Sequence, residues 1–173
     1  MQQGVGAVAE QTAEQPTRHG SIETLRLGAQ LCFALYSTTR SMTASYRPYL
    51  EEMGLTYPQY LVLLVLWEHE ELTVKELGQK MRLDYGTVSP LTQRLEASGL
   101  VERRQSAKDG RVTVLRATEA SIELQPKALA MIGSILTDLG YEIKEIVALR
   151  DQLKEYRQRL DRVVGRDLPP NAG

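Results

Sequence analysis

The chain reads as a mainly α-helical protein with a small β-hairpin wing, a winged helix-turn-helix, on three observations. Residues 72–97 hold two helical patterns separated by a tight turn, two β-type runs joined through Asp109-Gly110 follow, and this segment gathers the chain's positive charge. Nine Lys and Arg stand against five Asp and Glu in residues 72–118, a net of +4, whereas the whole chain is −1, which leaves −5 for the remainder. Helix, turn, helix and basic hairpin, in that order, is an arrangement that lays one helix in a DNA groove. A solvated hairpin in an unrelated α+β domain accounts for the charge but not for the order of the elements.

Each element has its own signal. Thr73 is a good N-cap, and Glu76 stands three residues on, the spacing of a capping box. Val74, Leu77 and Met81 then fall on one helical face. Residues 82–86 form a short turn. The second helix runs to Ala97, with Leu91 and Leu95 facing inward and Gly99 closing it. Residues 100–104 and 111–115 read as strands, and the Asp-Gly between them is a hairpin signal. Upstream, residues 22–53 read as a helix with Pro48 as the place for a bend. Residues 57–68 include Leu61 to Trp67, a run too apolar to show periodicity. It is a buried helix, because Thr56 can cap it and Pro58 suits its first turn.

Downstream, Leu129, Ile132, Ile135, Leu136 and Leu139 form one face before Gly140. Ile143, Ile146, Leu149, Leu153, Tyr156, Leu160 and Val163/Val164 continue at three-four spacing. That last helix would be about 24 residues, roughly 36 Å at ~1.5 Å per residue. A DNA-reading lobe of about 45 residues cannot cover so long a stripe. Burial against the N-terminal helix and the copies in a second chain predicts a homodimer with a helical dimerisation region from both chain ends. A monomeric helical bundle is the alternative. The organisation expected is a disordered tail over residues 1–20, one domain over 21–166, and a second disordered tail over 167–173. Within the domain, 21–55 and 119–166 are dimerisation helices and 56–118 the winged lobe.

Composition narrows the function classes. The sequence contains no run of 18 apolar residues, so no membrane partner is expected, and no basic region before an apolar core marks a secretory signal. One cysteine among 173 residues rules out an intramolecular disulfide framework and fits a reducing, cytoplasmic location. No metal site is expected from His19 and His69, and no P-loop, dinucleotide fingerprint or Gly-x-Ser-x-Gly occurs, so neither a cofactor nor an enzyme is expected.

Several motifs carry a resemblance over residues 31 to about 118. They are Leu31-Cys32-Phe33-Ala34-Leu35-Tyr36, Tyr46-Arg47-Pro48-Tyr49-Leu50 and Leu55-Thr56-Tyr57-Pro58-Gln59-Tyr60. Leu66-Trp67-Glu68, Leu83-Asp84-Tyr85-Gly86-Thr87-Val88-Ser89-Pro90-Leu91 and Asp109-Gly110-Arg111 complete them. The chain resembles the MarR family of winged-helix repressors, and within it the one-cysteine OhrR branch of organic-hydroperoxide sensors. It departs at Ala117-Thr118-Glu119-Ala120-Ser121, where the family usually has Leu-Thr-x-x-Gly, and in its long N-terminal tail.

Taken alone, Cys32 reads as a small buried hydrophobe, and the five tyrosines between Tyr36 and Tyr60 as core filler. The resemblance instead implies a redox-sensing site of Cys32 with Tyr46 and Tyr57, whose hydroxyls donate to the sulfur, and with Tyr36 beside them. Cys32 and Tyr46 are 14 positions apart, about 21 Å along one helix. Tyr46 of the same chain should therefore not reach Cys32; an antiparallel partner chain could bring its Tyr46 and Tyr57 there, and the site would then be made only in the dimer, in agreement with what the resemblance implies. A thiolate attacks peroxides, and an ordinary thiol is mostly protonated near neutral pH, so phenol donors and a helix N-terminus would favour the reactive form. Phe33, Leu35 and Met42 suit the apolar tail of an organic hydroperoxide. The first product is a sulfenic acid, and the resemblance implies a mixed disulfide with a small thiol, or further oxidation, as its fate.

Operator double-stranded DNA is the expected partner. Thr87, Ser89, Gln93 and Arg94 project from the recognition helix toward base edges or phosphates, with Pro90 near that helix's start. Arg111 at the wing tip suits a narrow minor groove, with Asp109 holding its side chain. Lys75, Arg103 and Lys108 are phosphate contacts, although Arg103 and Arg104 read equally well as solvent-facing strand residues. Two other functions fit parts of the sequence. One is a repressor of the same fold released by a small aromatic ligand in the dimer pocket. The other is a thiol peroxidase, which lacks a resolving cysteine and a histidine beside Cys32.

Overall fold

The structure is a computed structural model that describes residues 25–106 and 109–164. The expected tails over 1–20 and 167–173, and Lys108, lie outside the described residues. Two compact units divide the chain, Met1–Ser41 and Met42–Gly173. In the first unit a single 3-10 turn, Leu27–Ala29, precedes α1, Leu31–Glu52, which continues into the second unit. The helix expected from residue 22 thus begins at Leu31. Gln30 is extended, with φ −87° and ψ 120°, and such a backbone interrupts a helix. Leu25, Leu27, Leu31, Phe33 and Tyr36 of this unit are exposed.

The second unit is organised by α2, Tyr57–Trp67, which buries Gln59, Tyr60, Val62, Leu63 and Leu66. Its start is tied by Gln59, whose Oε1 accepts from the Thr56 N–H at 2.8 Å and from the Thr56 hydroxyl at 2.9 Å. β1, Leu72–Thr73, leads straight into α3, Val74–Met81. Thr73 Oγ1 accepts from the Glu76 N–H at 3.1 Å, and Glu76 Oε2 accepts from the Thr73 N–H at 2.7 Å, a complete capping box. Val74 and Leu77 are buried, and Met81 packs on the same core.

α4, Tyr85–Ala97, begins two residues earlier than its sequence suggests. Asp84 is the reason: its Oδ1 accepts from the Thr87 N–H at 2.8 Å, so Tyr85 and Gly86 are helical rather than part of the turn. Pro90 therefore sits in the second turn, not near the start. Its missing N–H leaves one i→i−4 bond unmade. Val88, Thr92 and Leu95 are buried, and Leu91 packs against them. Gly99, at φ 74°, follows the helix as expected, in a conformation that suits glycine.

The hairpin strands are β2, Val101–Gln105, and β3, Thr113–Ala117. They lie one to two residues beyond the expected runs, and Arg111 and Val112 are loop. The Val112 N–H donates to the Asp109 carbonyl at 2.9 Å, which closes a four-residue turn before β3 can start. The sheet has three antiparallel strands in the order β1-β3-β2, with Leu72 and Arg103 both opposite Leu115. The third strand was not expected, since two residues cannot display a period of two.

After the sheet, α5, Glu119–Ile122, is a single turn capped by Thr118, and α6, Gln125–Leu139, follows. The buried face of α6 is Ala128, Met131 and Ile135, with Ile132 beside it. Leu129, expected on that face, is 73 % exposed, and Leu139 is exposed as well. α7, Ile143–Val164, has 22 residues and exposes Ile143, Val147, Leu149, Leu153, Tyr156, Leu160 and Val163.

The box around α3 carries a stability prediction. Hydrogen bonds from the Thr73 backbone and side chain hold the Glu76 carboxyl below its ordinary value of 4.5. A carboxyl that ionises more readily folded than unfolded stabilises above its unfolded pKa, and this is lost as pH falls through the folded value. Thr73→Ala should cost about 1 kcal/mol at pH 7. In urea titrations its deficit against the parent should narrow as pH drops below 4.5. A deficit constant across pH would detach Glu76 from the cap.

Candidate nucleic-acid interface and thiol site

α4 is presented by a tight connection. The Leu83 N–H donates to the Gly78 carbonyl at 2.9 Å, and Arg82 caps α3 in the left-handed region at φ 58°. A Cβ on Gly78 would lie 2.9 Å from the Leu83 carbonyl oxygen, so only glycine lets the turn pack this closely. Four of the expected DNA-reading residues, Thr87, Pro90, Gln93 and Arg94, are exposed on α4, and Ser89 is half-buried. Lys75 is exposed on α3, and Asp109 and Arg111 are exposed in the wing loop. Asp109 Oδ1 accepts from the backbone N–H of Arg111 at 3.0 Å, so it holds the main chain there where the sequence suggested the side chain. A cleft of about 330 Å³ brings Lys75 and Arg111 together around Tyr85.

Arg103 is placed differently from the exposed cations. Its Nε lies 3.2 Å from Glu96 Oε2 and its Nη1 donates to Thr92 Oγ1 at 2.5 Å, both on α4. Thr92 in turn donates to the Ser89 carbonyl at 3.0 Å. Arg103 thus braces the recognition helix from β2 and is mostly covered, unlike a solvent-facing strand residue. Arg104 is exposed and pairs with Glu102 at 2.8 Å. Among the described residues, no ion pair holds the side chains of Lys75, Arg94 or Arg111. Sequence reasoning missed Thr92 and Tyr85. A threonine at an inward helical position signals the first, and an aromatic at the start of a basic helix the second.

The thiol residues are distributed over both units. In the first, Cys32 is exposed on the opening turn of α1. Tyr36 is exposed one turn on, where its hydroxyl accepts from Arg40 Nη1 at 3.0 Å and its ring lies 5.7 Å from the Arg40 guanidinium carbon. In the second unit, Tyr46 and Tyr57 meet edge to face with centroids 5.3 Å apart, and Tyr60 stands 6.1 Å from Tyr46. Burial raises the pKa of Tyr46 and Tyr57, and pushes Tyr60 up to about 12. These phenols therefore keep their protons at neutral pH and remain hydrogen-bond donors. Tyr60 was not singled out from the sequence, although it lies one helical turn from Tyr57.

The comparisons with known proteins agree with this architecture. The MarR family profile matches residues 55–113. The organic hydroperoxide resistance transcriptional regulator of Bacillus subtilis is 46 % identical over 125 residues, covering 70 % of this chain and 85 % of that protein. The transcriptional regulator TtmR of Methylorubrum extorquens is 41 % identical over 146 residues, covering 84 % and 75 %. A solved structure of reduced AbfR bound to DNA superposes with a TM-score of 0.69 at 33 % identity, covering 80 % of this chain and 96 % of that one. On the helix-turn-helix, the wing and these relatives together, the chain belongs to the MarR family of transcriptional regulators.

Proposed function

We propose that the chain acts in the cytoplasm as a homodimeric repressor that releases its operator DNA when an organic hydroperoxide oxidises Cys32. The observation that carries this reading is the single thiol of the sequence, exposed on the first turn of α1 beside exposed Leu31, Phe33 and Tyr36. The identity to a Bacillus regulator named for organic hydroperoxide resistance supports it. The Cys32 thiolate attacks one peroxide oxygen, the O–O bond breaks, and the alkoxide takes a proton and leaves as an alcohol. The sulfenic acid then condenses with a small thiol, giving a mixed disulfide and water. The partner's Tyr46 and Tyr57 supply hydrogen bonds to the thiolate, and Tyr36 stands on the Cys32 side of the site. Added bulk on the sulfur changes packing at the dimer, and the helices carry that change to the two DNA-reading lobes.

On the DNA side, Thr87, Ser89, Gln93 and Arg94 read the major groove from α4, with Pro90 among them. Arg111 enters the minor groove from the wing loop, its backbone fixed by Asp109. Lys75 and Lys108 meet phosphates, and Arg103 contributes to the positive potential from its position beneath α4.

Three measurements test these roles. Sedimentation at micromolar concentration should give twice the chain mass, since α7 alone exposes Ile143 at 72 % and Val163 at 84 %. A monomer that binds operator tightly would end the dimer reading. Arg111→Ala should weaken operator binding by about 1–3 kcal/mol at fixed salt, with the fold intact. An unchanged dissociation constant removes Arg111 from the reading surface. The sensor itself is tested by a gel shift on the DNA upstream of the chain's own gene. Cys32→Ser should bind as the parent does but stay bound when cumene hydroperoxide is added, and Tyr57→Phe should bind normally and be released more slowly. Release of Cys32→Ser at the parental dose would refute the sensor, and release by salicylate-like compounds alone would favour the ligand-sensing repressor.

A further inference from the structure

The turn before the recognition helix is anchored from a distant part of the chain. Arg82, at φ 58° and ψ 37°, is the non-glycine residue with positive φ among the described residues. Glycine or asparagine suits that conformation best. What arginine adds is reach: its Nη2 donates to Asp161 Oδ2 of α7 at 2.7 Å, across 79 positions of sequence. The two side chains are 16 % and 26 % exposed, so salt screens this pair less than the exposed pairs along α7. Only Leu83 and Asp84 separate Arg82 from the start of α4. Leu83 is bonded to Gly78 and pressed against it, and Asp84 caps the helix at Thr87. A turn this stiff passes any pull on Arg82 to the first turn of α4.

We propose that the Arg82–Asp161 pair is a latch between α7 and the recognition helix, which makes both residues positioning residues for DNA reading although neither touches DNA. The inference rests on α4 being the DNA-reading helix. α7 presents an exposed apolar face from Ile143 to Val163. A second copy that covers this face fixes or shifts α7, and the latch carries that shift to the tilt of α4.

Three variants separate the latch from simple stability. Asp161→Asn keeps shape and removes the charge, Arg82→Gly removes the side chain while suiting the backbone, and Asp161→Glu is the conservative replacement. The full-length reduced protein is titrated with a duplex from upstream of its own gene and with a shuffled duplex of equal length. Backbone amide exchange is followed without DNA. Asp161→Asn and Arg82→Gly should each lower the preference for the upstream duplex by about tenfold, within the usual range for coupled residues. The slope of affinity against salt should not change, because no phosphate contact is lost. Amides of residues 84–88 should exchange faster and those of α2 should not, and Asp161→Glu should restore both readings. An unchanged preference overturns the latch, and so does a fall accompanied by faster exchange throughout α2. If the parent itself shows no preference, the repressor reading fails on this DNA. The exchange of 84–88 then decides the latch alone: faster exchange in both variants supports it, and unchanged exchange overturns it.

Discussion

The burial of α2 is the constraint on which the rest of the second unit depends. Tyr60, Val62, Leu63 and Leu66 retain at most 2 % of their surface, and a helix apolar on every side must be covered on every side. Fully burying one such side chain is worth about 1.5–3 kcal/mol. The cover comes from the winged helix-turn-helix: Leu77 of α3, Val88 and Leu95 of α4, and Leu115 of β3 share the core, with Ala128 and Met131 of α6. Even the polar edge of Trp67 is used, its Nε1 donating to Ser121 Oγ at 3.4 Å. The angle between the two helices of the motif is therefore a packing result. The turn between them permits that packing through the close approach of Gly78 to Leu83, and Arg82 within it ties the arrangement to α7.

Polar groups then decide which charges remain for a partner. The lobe's net charge of +4 counts Arg103 and Arg104 equally with Lys75 and Arg111. In the fold Arg103 is spent on Glu96 and Thr92, and Arg104 pairs with Glu102. Lys75 of α3 and Arg111 of the wing loop share one cleft, Arg94 is exposed on α4, and Arg116 is exposed on β3 in a separate cleft lined by Glu68, Glu70, Glu102 and Glu119. A covered guanidinium still adds to the potential of the lobe, but it does not release a counterion as an exposed phosphate contact does. Sequence charge thus counts Arg103 and Arg104 as available where the fold pairs both with acids.

What the sequence made legible follows from the range of each signal. Thr73 with Glu76, and Gly99 after α4, are local chemistry, and both stand where their spacing put them. The start of α4 was misplaced because Asp84 resembles a turn residue and a cap equally well, and only its bond to Thr87 distinguishes them. β1 was invisible because its two residues are a strand solely by pairing with β3. Leu129 was assigned inward from periodicity, yet the face of α6 that meets the core is set by Ala128 and Met131, and a small residue gives no hydropathy signal for it. The braces from Arg103 to α4 and from Arg82 to Asp161 join residues 11 and 79 positions apart, so no window along the chain contains the second.

The thiol reading imposes an energetic demand that the tyrosines meet in part. For oxidation to release DNA, the oxidised sulfur must be better accommodated in one arrangement of the dimer than in the other; equal fit would shift nothing. Buried phenols are suited to create that difference. Burial raises the pKa of Tyr46, Tyr57 and Tyr60, so their hydroxyls stay protonated, and on the proposed reading such donors would stabilise an anionic sulfur better than a neutral adduct. Converting a thiolate to a neutral mixed disulfide would thus remove the acceptor of charge-assisted hydrogen bonds and add volume at the same place. Both effects act against the reduced packing. On the proposed reading α7 would give the response its reach, because it exposes apolar residues from Ile143 to Val163 and is tied near its end, through Asp161, to the turn before α4.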